Sequence, residues 1–176
     1  MGYDKLMGLL TTIGTVGAVV VAMIAIYRSD KNSKQQILVG KLEELFETVR
    51  SLGLYYGVFH ELNGYLLAHR DTNSTEMSTR SEYIDIRDKK LSEGDRELIN
   101  KYLSKIEVLA KCYTQGALQV KCLNYQDIMY AFADFVFNGG SIYKEINYRN
   151  GFPKFEEFYS QLEDLKKEIV LKIKLK

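Results

Sequence analysis

The amino-acid sequence predicts an all-α protein: a single amino-terminal transmembrane helix followed by a helical bundle, working as an oligomer. Three observations carry this. Leu6–Tyr27 is an uncharged apolar run bracketed by Lys5 and Arg28. Beyond Ser33 the apolar residues recur at spacings of three and four, the helical period. Inside the first run the small residues keep that same spacing. The expected organisation is an amino-terminal segment, residues 1–30, with the span at 6–27, and a bundle over 31–176.

As a helix, Leu6–Tyr27 would cover roughly 33 Å, enough for the hydrocarbon core of a bilayer. A cleaved secretory signal is the alternative, but the run exceeds the ~7–15-residue apolar core of such signals and no small-residue cleavage site follows it. Gly8, Thr11, Thr15, Ala18, Ala22 and Ala25 form one stripe along this helix. Small residues allow close backbone approach, so the stripe is the expected association surface, and in a bilayer it would form a pore helix. Arg28, Lys31, Lys34 and Lys41 on the carboxyl side outweigh Lys5 beside Asp4 on the other. The positive-inside bias then places the amino terminus outside and the bundle in the cytoplasm, in a bacterial host a single-pass inner-membrane protein.

Ser29–Ser33 reads as a polar hinge with Ser33 as a helix cap. From there to about His69, a seam of Leu38, Leu42, Leu45, Val49, Leu52, Tyr56, Phe59 and Leu66 marks a long helix, interrupted at Asn63. The seam could face a second copy or the helices of its own bundle; Phe46, Tyr55 and Leu62 widen it and favour the bundle. Gly53, Gly57 and Gly64 mark a bend or close contacts. Arg70–Lys90, rich in Ser, Thr and Asp, reads as an exposed loop with one ordered turn. Ser92 and Asp95 form a capping pair for the next helix, with Leu98, Tyr102, Leu103, Ile106, Leu109, Ala110 and Tyr113 on its inner face. Gly116 and Asn124 are weak points before Tyr125–Phe137, apolar on most sides and so the expected centre of the core. Asn138-Gly139-Gly140 stops that helix, and Pro153 opens the last, which buries Phe155, Phe158, Leu162, Leu165 and Ile169.

With 24 basic and 23 acidic residues among 176, the charge balance argues against direct nucleic-acid binding, whose mark is a strongly basic face. Cys112 and Cys122 make no disulfide framework and match no metal spacing, and the two histidines, His60 and His69, point to opposite sides of one helix. No phosphate-binding glycine loop, zinc-protease motif or nucleophile elbow is present. No catalytic residue, cofactor or metal is expected. The 13 tyrosines and 8 phenylalanines could stack on unpaired bases, but most lie on apolar helix faces where packing accounts for them.

One amino-terminal span ending in Tyr27-Arg28, followed by an all-helical domain of about 145 residues, resembles the small membrane-anchored accessory proteins of type VI-B CRISPR systems, which assist an RNA-guided RNA-cutting effector. The resemblance covers the whole chain in plan and length. It implies a divergent HEPN-like helical domain, an oligomeric membrane pore, and a role in antiviral defence that perturbs the host membrane and enhances RNA-targeting interference. The implied partners are further copies of the chain, the lipid bilayer and the RNA-guided nuclease. A HEPN ribonuclease would carry Arg, four to six residues, then His. Here the nearest approach is Arg50 and His60 with nine residues between them, a remnant of the motif at most, so a non-enzymatic effector is expected. A HEPN-type ribonuclease and a membrane scaffold recruiting a partner through the Arg70–Lys90 loop are the alternatives.

Overall fold

The computed structural model describes residues 3–70, 76–139 and 154–175, with side chains over 18–68, 80–138 and 154–175. Among these residues there are α1 (Tyr3–Gly53), α2 (Tyr55–Arg70), α3 (Glu76–Lys90), α4 (Glu93–Tyr113), α5 (Gly116–Asp134), a π-helical turn (Phe135–Gly139) and α6 (Phe155–Lys174), and no strand. They fall into two compact units, Met1–Gly40 and Lys41–Lys176.

The first unit holds only the amino-terminal part of α1, where every described side chain from Ala18 to Lys34 is exposed. Ser29–Ser33 is not a hinge. The Ser33 hydroxyl donates to the Ser29 carbonyl at 2.9 Å, one turn back inside the helix, and Lys34 pairs with Asp30 at 2.7 Å. Among the described residues, no helix is long and apolar enough to cross a membrane. The transmembrane span expected at 6–27, the membrane pore and the single-pass inner-membrane placement are corrected accordingly; the side chains of Leu6–Gly17 lie outside the described ones.

In the second unit the seam turns inward. Leu42, Leu45, Val49, Leu52, Tyr56, Phe59 and Leu66 are buried, and only Leu38 is half-exposed. The helix breaks at Leu54, so the seam continues from α1 onto α2. The break coincides with a close contact. A Cβ on Gly53 would sit 2.6 Å from Cδ2 of Leu162 on α6 and 3.3 Å from the Tyr125 hydroxyl on α5. Gly57 faces Phe155 at ordinary distance, while Gly64 meets nothing within 4 Å.

The expected loop at Arg70–Lys90 is instead largely helix. α3 buries Tyr83 and is tied to α2 by Lys90–Glu61 at 2.8 Å and Tyr65–Glu82 at 2.9 Å. Its polar composition suits a helix that buries one narrow edge. α4 opens with the capping box read from the sequence: the Ser92 hydroxyl accepts from the Asp95 amide, and the Asp95 carboxylate accepts from the Ser92 amide at 2.9 Å. Its buried face is Ile99, Leu103, Ile106, Leu109 and Ala110, displaced from Leu98, with Tyr102 and Tyr113 half-exposed. Gly116 takes φ 63 where the chain turns into α5, a conformation only glycine adopts at low cost. Asn124 does not interrupt α5, which packs against α2, α4 and α6 and is the centre of the core. On α6, Phe158, Leu162, Leu165 and Ile169 are buried, whereas Phe155 remains half-exposed. Pro153 lies outside the described residues.

Replacing Gly53 with Ala forces a methyl group into Leu162 and Tyr125, so the variant is expected to lose about 1–3 kcal/mol despite alanine's better helix propensity. Gly64→Ala, with open space around it, is expected to gain about 0.5–1 kcal/mol. Urea unfolding of both variants checks the contrast; equal effects would contradict it.

Candidate functional site

The residues singled out by the sequence do not converge on one place. Ala18, Ala22 and Ala25 are exposed on the first unit, and the side chains of Gly8, Thr11 and Thr15 lie outside the described ones. The seam is spent on the interior of the second unit. Arg50 is exposed on α1 beside Glu47 at 3.9 Å, and His60 is exposed on α2 with its ring 6.1 Å from those of Tyr56 and Phe155. No hydrogen bond, ion pair or ring contact joins Arg50 to His60 among the described residues, and the His69 side chain lies outside them. No group of three or more His, Cys, Asp or Glu side chains could hold a metal among the described residues. Cys122 is buried, and burial pushes its thiol up to about 12, so it stays protonated and unreactive.

What the second unit does build is a set of polar anchors at helix ends. At the carboxyl end of α5 the backbone widens into the π-helical turn. The buried Tyr83 hydroxyl donates to the Val136 carbonyl at 2.9 Å, and Arg87 donates to the Phe137 carbonyl at 3.0 Å. Arg96 stands 5.2 Å from the Phe137 ring and donates to Asn138 at 3.1 Å. Two cationic side chains thus meet the negative end of a helix. Burial raises the Tyr83 hydroxyl above its ordinary range, so it remains a donor. Sequence reading missed this cluster because Tyr83 and Arg87, one turn apart, were placed in a loop; their spacing of four was the available signal.

A polar cleft of about 340 Å³ lies beside this cluster, lined by Arg87, Asp88, Leu91, Ser92, Glu93, Arg96 and Phe137. Its lining carries both signs: Arg87 is paired with Asp88 at 2.8 Å, and Glu93 and Arg96 also line it. A second groove, about 220 Å³, separates α5 from α6 and is lined by Lys121, Asn124, Tyr125, Ile128, Phe158, Gln161, Asp164 and Leu165. Behind it Tyr56 and Phe158 stack at 3.7 Å between centroids, and the buried Tyr125 hydroxyl donates to the Val49 carbonyl at 3.0 Å. At the opposite flank of α1, Glu44 joins Lys41 at 2.7 Å to Lys105 on α4 at 2.8 Å. Hydrogen bonds from Lys105 and then Lys41 hold the Glu44 carboxyl down to about 2.

Tyr83→Phe strips a buried carbonyl of its donor and is expected to destabilise the fold by about 1–3 kcal/mol, measured by thermal or urea unfolding. Glu44 has a folded value below its ordinary 4.5, so its stabilisation is present above that value and fades as pH falls towards about 2. Glu44→Gln should therefore flatten the acid limb of the stability curve, and, because Glu44 also holds the Lys41 value up, change the slope at strongly basic pH as well; an unaltered acid limb would show the network to be inert. No protein-family model matches the chain, and no curated protein or solved structure shows significant similarity to it.

Proposed function

We propose that this chain is a non-enzymatic accessory protein of prokaryotic RNA-guided antiviral defence that works as a homo-oligomer, with its amino-terminal helix as the assembly element. The observation that carries the assembly is the exposed apolar stretch of α1. Val19, Val20, Val21, Met23, Ile24, Ile26 and Tyr27 are between 48% and 71% exposed. A helix that is apolar all round is normally enclosed, and a contiguous exposed patch of this kind marks an interaction surface. The seam on Leu42–Phe59 is already used within the chain, which leaves the amino-terminal helix as the apolar surface for other copies. Ala18, Ala22 and Ala25 supply the narrow edge along which helices pack closely. The defence role rests on the resemblance of the all-helical domain alone to the accessory proteins of RNA-targeting systems, the span that also carried it having been corrected.

A HEPN-type ribonuclease has less to support it, since Arg50 and His60 occupy separate helices without a shared contact. Recruitment through a free loop at Arg70–Lys90 loses its basis, because residues 76–90 are helix anchored by Tyr83 and Arg87.

Sedimentation equilibrium of the full chain is expected to give an oligomer. Ala18→Leu with Ala22→Leu is expected to weaken assembly at least tenfold, about 1.4 kcal/mol, with helicity unchanged. Co-expression with an RNA-guided RNA nuclease in phage-challenged cells is expected to strengthen interference, and the double variant to lose that gain. A wild-type chain that sediments as a monomer, or that leaves interference unchanged, overturns the reading.

A further inference from the structure

We draw no further inference here: the strongest candidate, the polar cleft of about 340 Å³ between the amino terminus of α4 and the π-helical turn, has both its arginines already engaged, Arg87 by Asp88 and the Phe137 carbonyl and Arg96 by Asn138, which leaves a helix amino terminus with no second feature that points to a ligand.

Discussion

The second unit depends on the packing at the end of α1. There the Tyr125 hydroxyl donates to the Val49 carbonyl while Gly53 leaves room for Leu162. A helix end releases carbonyls that must find partners, and one buried without them costs free energy. The Val49 carbonyl lies just before the last four of α1, and Tyr125 adds a second donor to it from the centre of the core. Its own hydroxyl is held well above the ordinary range by burial, so it stays a donor at any physiological pH. The same point lets α1 stop and α2 begin, carrying Tyr56 into its stack with Phe158. A Cβ at position 53 would meet the Leu162 methyl and the Tyr125 hydroxyl, so those two side chains would have to shift.

Several other helix ends are closed by side chains, each by a different donor, whereas the starts of α5 and α6 carry no side-chain cap. Ser92 and Asp95 close the start of α4, and Tyr55 donates to the same Asp95 at 3.0 Å, linking that cap to α2. Thr114 turns its hydroxyl back to the Ala110 carbonyl at 2.7 Å where α4 finishes, with Gln119 donating to the same oxygen. Tyr83 and Arg87 serve the π-helical turn. No buried side-chain nitrogen or oxygen is left without a partner among the described residues. In a core this small, an unmet polar group would offset the burial of a large apolar side chain.

Charge is handled by local cancellation. Lys41, Glu44 and Lys105 form one node, Arg87 and Asp88 another, Lys121 and Glu168 a third. Exposed pairs of this sort contribute little stability individually.

The sequence by itself determined the all-helical class, the buried seam from Leu42 to Leu66, the capping box at Ser92 and the central position of the segment after Tyr125. These are properties of spacing, and helical spacing is local. It also showed an apolar amino-terminal run, but apolarity alone does not say what covers it; the membrane span read from that run did not stand, since no described helix is long and apolar enough to cross a membrane. Only the tertiary structure decided that the seam is used within the chain, that Ser33 back-bonds inside a continuous α1, and that residues 76–90 form a helix in spite of their loop-like composition. Tyr83 and Arg87 meet carbonyls some fifty residues later in the chain, at Val136 and Phe137. Asn124 and Gln161 share a groove although they lie on different helices. Contacts between residues so far apart depend on how helices dock, and helix period carries no information about that.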